Sequence, residues 1–299
     1  MAQIEVRSLS KRFGAVTAVD GVSFDVEPGQ VTGFLGPNGA GKTTTLRMIL
    51  GLANPTGGTA TIGGRPYRKL SDPAGTVGAV LERSGFHPGR RARDHLRTVA
   101  RAAGIPESRA DEALELVALQ NAARRRVREY SLGMRQRLAL ATALLGDPRT
   151  LILDEPANGL DPQGIRWLRD FIRWYASQGR TVLVSSHVLA EMAQTADAVI
   201  VISRGRVVAQ GPIAELIAGR GGGVEVRSPG AGQLRAALRS RGFTVEASDD
   251  HTLIVTGADM ATVGDLAFSE GVAIHGLRER SASLEDVFFE LTGEESAPS

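Results

Sequence analysis

Residues Gly36-Pro37-Asn38-Gly39-Ala40-Gly41-Lys42-Thr43-Thr44 have the types and spacing of a phosphate-binding loop, G-x-x-x-x-G-K-[ST]. The chemistry explains each position. Glycines let successive backbone N–H groups turn toward one centre, and a helix beginning at the end of the loop adds positive potential there. Lys42 is a point charge that can reach terminal phosphates, and the Thr43 hydroxyl can ligand Mg2+. A Gly-rich turn that binds nothing can carry the same letters, so the surroundings decide. Val31-Thr32-Gly33-Phe34-Leu35 reads as a buried strand before the loop, and Leu46-Arg47-Met48-Ile49-Leu50 as a helix after it. Strand, Gly-rich loop and helix form the context this chemistry needs.

A second group lies downstream. Leu151-Ile152-Leu153-Asp154-Glu155 is an apolar strand that delivers two carboxylates at its C-terminal end. In a parallel sheet the phosphate loop occupies that same end. Asp154 would hold Mg2+, directly or through water, and Glu155 would polarise an attacking water. The competing reading is an acid pair that merely ends a strand.

The elements that must position these groups follow from hydrophobic period. Strands are expected over 4–7 and 22–27 around a loop holding Phe13, then over Gly57 to Ile62, Val77 to Leu81, Thr150 to Leu153 and 181–185. Helices are expected over 92–102, 107–118, Gly133 to Leu145 and 163–177. Ala198 to Ser203 and Arg206 to Ala209 read as a hairpin turned at Arg204-Gly205. The nucleotide domain is expected over 1–218, with a helical subdomain at about 83–147, followed by a Gly-rich linker at 219–223. Beyond it, the expected order is strand 224–227, helix 232–241, strands 243–247 and 252–256, helix 260–270 and strand 272–278. That is the βαββαβ order of a ferredoxin-like α+β unit, spanning 224–292 with a last helix over 284–291, and 293–299 is expected to fray.

Bulk properties narrow the function classes. The 299 residues suffice for an α/β core and a second small domain, and a net charge of +2 steers the chain neither to nucleic acid nor to anionic lipid. With no cysteine there are no disulfides or thiolate metal sites, which fits a reducing compartment. No secretion-type N-terminal segment is evident, and no run approaches the roughly 20 apolar residues of a membrane span. Any work at a membrane would need spans from another chain.

With these residues in hand, the chain resembles the nucleotide-binding subunit of an ATP-binding cassette (ABC) transporter over about residues 3–218. Three more elements occur in family order. Tyr130-Ser131-Leu132-Gly133-Met134, followed by Arg135-Gln136-Arg137, resembles the signature motif. Asn158-Gly159-Leu160-Asp161 resembles the loop after the acid pair, and His187 after Val184-Ser185-Ser186 resembles the switch histidine. Phe13 resembles the aromatic that stacks on adenine. The resemblance implies an α/β P-loop NTPase fold, ATP and Mg2+ as ligands, and ATP hydrolysis with Lys42, Glu155 and His187 as catalytic residues. It also implies nucleotide contacts from Phe13, Gly36 to Thr44, Ser131, Gly133 and Asp161. Structural alternatives stand beside three of these: a helix cap for Ser131, a structural histidine for His187 and a core position for Phe13.

The resemblance further implies a head-to-tail pair of copies with ATP between them, separately encoded transmembrane permease subunits, and a peripheral place on the cytoplasmic face of the membrane. Nucleic acid is not expected as a partner. The family usually has glutamine where Val77-Gly78-Ala79-Val80-Leu81 ends in Glu82. A carboxylate there can still ligand Mg2+ but adds negative charge beside a triphosphate. Leu132 and Met134 depart from the usual signature glycine and glutamine, and these departures, with the ending Ser283 to Leu291, resemble the daunorubicin- and bacitracin-resistance type of exporter. The alternative is a soluble ATPase of this kind acting on ribosomes or nucleic acid. Such proteins carry a long coiled-coil insertion or two tandem cassettes, whereas the interval from Thr44 to Ser131 is short and no internal repeat occurs. Residues 224–280 could sense a ligand or simply widen an interface.

Overall fold

A computed structural model describes residues 3–81, 85–217, 223–280 and Phe288. The chain divides into two compact units, Met1–Ile213 and Ala214–Ser299.

In the first unit, β1 (Ile4–Phe13) and β2 (Val16–Val26) pair antiparallel, with Phe13 opposite Val16. Strand β3 (Val31–Leu35) feeds helix α1 (Lys42–Ile49), and β4 (Gly57–Ile62) returns to the free edge of β1, giving a three-stranded sheet β2-β1-β4. The short α2 (Pro73–Thr76) leads into β5 (Val77–Val80). Three helices follow, α3 (Ala92–Ala102), α4 (Arg109–Leu116) and α5 (Leu132–Ala143). The chain then alternates: β6 (Thr150–Asp154), α6 (Pro162–Ser177), β7 (Thr181–Ser186), α7 (Leu189–Ala193), β8 (Ala198–Ser203) and β9 (Arg206–Pro212). These strands form one sheet in the order β5-β6-β7-β3-β8-β9, parallel except for the β8–β9 hairpin. That hairpin turns at Arg204 and Gly205, both left-handed (φ 49° and 78°) as a two-residue primed turn requires.

Every residue of β3, β6 and β7 is buried, because both faces of this sheet are covered, one of them in part by the three-stranded sheet. The two sheets share a core in which Phe24 and Phe34 meet at 5.5 Å between ring centroids, beside Leu46, Ile49, Ile62 and Ile152.

The second unit contains, after α8 (Ile213–Ile217), the elements β10 (Gly223–Arg227), α9 (Ala231–Ser240), β11 (Thr244–Ala247), β12 (Thr252–Thr256), α10 (Met260–Ser269) and β13 (Gly276–Arg280). Its sheet runs β11-β12-β10-β13 with antiparallel neighbours throughout. Val224, Val226, Leu253 and Val255 bury one face against Leu234 and Leu238 of α9 and Val263 and Leu266 of α10. The opposite face carries Glu225, paired to Arg278 at 2.6 Å.

Local differences from the sequence expectations have physical causes. Phe13 ends a strand rather than sitting in a loop, because Gly14 (φ 57°) closes the turn to Val16 at once. The last strand begins at Gly276 and not at 272, since the Val272 N–H donates to Ala267 O (2.9 Å) behind α10. Gly223 belongs to β10, whereas 218–222 lie outside the described residues. The expected terminal helix and tail also lie outside them, apart from buried Phe288.

Candidate functional site

Strands β6, β7 and β3 are immediate neighbours, and their carboxyl ends carry the three sequence groups. Gly36 to Thr44 follow β3, Asp154 and Glu155 end β6, and His187 follows β7. Sheet register sets Asp154 opposite Ser185 and Leu35 opposite Ser186. The topology alone therefore gathers groups far apart in the chain, at the sheet edge where α/β folds bind ligands.

The loop is seated against both sheets. A Cβ on Gly36 would stand 2.2 Å from Ile202 O in β8, and one on Gly41 would stand 2.6 Å from Ala18 O in β2. Gly41 (φ 107°) precedes α1 without any side-chain cap, and no acid occupies the first turn. The helix N-terminus thus keeps its N–H groups for an anion. Lys42, only 5 % exposed, donates to Gly36 O (2.5 Å) and Pro37 O (3.2 Å) and lies 3.1 Å from Glu155 Oε1. A buried ammonium held by three oxygens is a fixed charge inside the loop.

The acids are tied together by a residue that sequence reasoning read only as the end of a strand. Ser185, fully buried, donates its hydroxyl to Asp154 Oδ1 (2.7 Å) and accepts the Glu155 N–H (2.9 Å). Its one signal in the sequence was a polar residue closing a Val-Leu-Val run. Glu155 sits in the left-handed region (φ 48°), a conformation that costs a non-glycine residue about 1–2 kcal/mol and that the Ser185 bond helps to hold. Its Oε2 lies 2.9 Å from His187 Nδ1. With Glu155 ionised, Nδ1 carries the proton and donates. Glu191 on α7 faces the same group: burial pushes its carboxyl up, His187 pulls it down, and the charge on Glu155 pushes it up again.

Asp154 is 1 % exposed, and among the described residues its Oδ2 has no hydrogen-bond partner. An orphaned, buried carboxylate oxygen is what a Mg2+ site leaves in the protein alone, and Thr43 at the start of α1 supplies a hydroxyl. Among the described residues no three His, Cys, Asp or Glu side chains cluster as a metal cage. Glu82 lies outside the described residues.

Ser131, Gly133 and Asp161 belong to a second group, joined to the first through a turn in which the Asn158 N–H donates to Glu155 O (3.2 Å). Ser131 is the N-cap of α5 and accepts from Met134 N (3.2 Å), while Asp161 caps α6 by accepting from Gly164 N (2.8 Å). Leu132 packs over Gly159, where a Cβ would stand 2.6 Å from Leu132 Cδ2. Phe13 is 55 % exposed with Lys11 Nζ 5.0 Å above its ring, so it is not a core residue. It ends the hairpin whose Ala18 abuts Gly41.

The chain is similar to known proteins over most of its length. A family model described as ABC transporter matches residues 19–158, and a second, described as a domain of unknown function (DUF8746), matches 222–285. The chain is 39% identical over 306 residues to Nod factor export ATP-binding protein I of Ralstonia nicotianae, covering 98% of this chain and 94% of that protein. It is 42% identical over 216 residues to bacitracin transport ATP-binding protein BcrA of Bacillus licheniformis, covering 71% of each. A solved ATP-binding subunit of an ABC transporter superposes with a TM-score of 0.65 at 29% identity, covering 72% of this chain and 91% of that one.

Proposed function

The chain belongs to the family of ABC transporter ATP-binding proteins, and we propose that it is the ATP-hydrolysing subunit of an exporter, acting as a pair of copies on separately encoded membrane subunits. The observation that carries the catalytic reading is the convergence of Lys42, Glu155 and His187 at three adjacent strand ends, with distances of 3.1 Å and 2.9 Å.

Backbone N–H groups of Asn38 to Thr44 and the α1 terminus bind the phosphates of ATP. The Lys42 ammonium sits among the terminal phosphate oxygens, which compete with Glu155 for the same donor. That competition frees the Glu155 carboxylate to accept a proton from water. The water oxygen bonds to the γ-phosphorus in line as the bond to the β,γ-bridging oxygen breaks, and ADP and phosphate result. His187 donates through Nδ1 to Glu155 and holds it toward the water. Asp154 Oδ2 and Thr43 would hold Mg2+, which would supply positive charge against the developing negative charge of the phosphates. Phe13 offers an exposed face for the adenine ring.

Ser131 and Gly133 complete the site from the second copy. A helix N-terminus with a hydroxyl cap is an anion site, and head-to-tail pairing sets it against the partner's phosphate loop. The names of the two relatives, concerned with Nod factor export and bacitracin transport, support export as the work that hydrolysis drives. Among the described residues no helix is long and apolar enough to cross a membrane, so the spans would come from another chain. Affinity purification of the tagged chain from detergent-solubilised native membranes tests this. Recovery of a multi-span protein that changes the ATPase rate is expected. Recovery of ribosomal or other soluble partners alone would reverse the reading.

A further inference from the structure

The tip of the β1–β2 hairpin holds an aromatic ring with a cation on one side of it. Phe13 is 55 % exposed, and its cross-strand partner Val16 is exposed as well. Directly opposed residues share a face of a strand pair, so the two side chains form one apolar platform. Lys11, two residues earlier on the same face, places Nζ 5.0 Å from the centroid of the Phe13 ring. At that distance an ammonium is drawn to the π electrons of the ring.

Lys11 is held in that place. Its Nζ donates to Asn54 O (2.6 Å), in the loop between α1 and β4. The same loop is tied to the hairpin by Thr56, whose N–H and hydroxyl both donate to Ser10 O (2.8 Å and 3.0 Å). Among the described residues no carboxylate pairs with Lys11, so its charge stays available to the ring. The sheet order β2-β1-β4 puts this loop on the β4 side of β1. The phosphate loop abuts the other side, where a Cβ on Gly41 would meet Ala18 O of β2. The cation thus comes to the ring from the side away from the phosphate loop.

We propose that Lys11 positions and selects the nucleobase: it fixes Phe13 from one side and draws π density from the opposite face, where a purine stacks. An electron-rich base gains from a ring depleted in this way. A two-ring purine overlaps the platform more than a one-ring pyrimidine, and stacking strength of this kind is what discriminates bases in the absence of hydrogen bonds to their edges. The inference rests on the reading of Phe13 as the base platform and adds what makes that platform selective.

The test is equilibrium titration of the full chain with ADP, CDP and inorganic pyrophosphate, none of which is hydrolysed at the γ-position during the measurement. Lys11→Met keeps the stem and removes the charge. It is expected to weaken ADP about fivefold, to weaken CDP less, and to leave pyrophosphate as in wild type. Lys11→Arg keeps a cation over the ring and is expected to restore ADP binding. Phe13→Ala is expected to weaken ADP about tenfold, and adding Lys11→Met to it to cost nothing further, because the lysine acts through the ring.

An equal loss for pyrophosphate would make Lys11 a general attractor of anions, and an equal loss for CDP would remove the selectivity. Tighter ADP binding by Lys11→Met would mean that the lysine covers the face the base needs. Wild-type ADP binding by Lys11→Met, or a loss that simply adds to that of Phe13→Ala, would mean that the ring works without it. Each of these overturns the proposal and, where Phe13→Ala still weakens ADP, leaves Phe13 as the platform. Wild-type ADP binding by Phe13→Ala would instead remove the platform, and the role of Lys11 with it.

Discussion

One hydroxyl, that of Ser185, sets both acids of the site. It fixes Asp154 by Oδ1, leaving Oδ2 free, and it pins the Glu155 N–H where the backbone is left-handed. Removing it leaves a buried carboxylate oxygen unsatisfied, at a cost of about 1–3 kcal/mol. Outer contacts that orient metal ligands alter metal affinity or activity by roughly 10–100-fold. Ser185→Ala is therefore expected to melt at lower temperature and to need about tenfold more Mg2+ for half-maximal hydrolysis, with nucleotide affinity in EDTA unchanged. Ser185→Thr keeps the hydroxyl on a β-branched residue suited to a strand and recovers the Mg2+ response. An alanine variant with the wild-type Mg2+ curve would take Ser185 out of the site.

At the scale of elements, the helix α5 poses a choice between capping and ligand binding. Ser131 caps it through Met134 N, so Ser131→Ala should cost about 1 kcal/mol of stability whatever the hydroxyl does for ATP. Ser131→Asp separates the two roles, since Asp caps as well as Ser but places a negative charge where a phosphate would approach. The Asp variant is expected to keep the wild-type melting temperature and lose at least tenfold in ATPase rate. Full activity with Asp would leave Ser131 as a cap and nothing more. The strands that position the site were legible for a plain reason: β3, β6 and β7 are buried on both faces and read as apolar runs ending in motif residues. The outer half of β1 was not, because register slips between Val6 and Arg12 break the alternation, and only Leu9 and Phe13 are apolar beside Ser8, Ser10, Lys11 and Arg12. Helix α7, at five residues, is too short to show a period. Ser185 was missed because its role depends on the pairing of β6 with β7, which no local pattern announces.

At the scale of the whole molecule, one copy carries the loop Gly36 to Thr44 once and the Ser131 cap once, both within the unit Met1–Ile213. On the proposed pairing, two identical copies would make two complete sites with ATP in each, so assembly should depend on the nucleotide. Hydrolysis would normally erase that state as it forms. Glu155→Gln keeps the side-chain shape but accepts no proton, and the loss of a general base typically lowers the rate by about 10²–10⁴-fold. It also replaces the negative partner of Lys42 with a neutral amide, leaving the ammonium to the phosphates. The variant is expected to elute as a dimer with ATP and as a monomer with ADP, measured by light scattering on a sizing column. Adding Ser131→Asp to Glu155→Gln should restore the monomer with ATP, because each copy would then offer a negative charge to its partner's γ-phosphate. A Glu155→Gln chain that stays monomeric at saturating ATP, while still binding it, would confine the chemistry to a single copy and reduce Ser131 and Asp161 to the helix caps they visibly are.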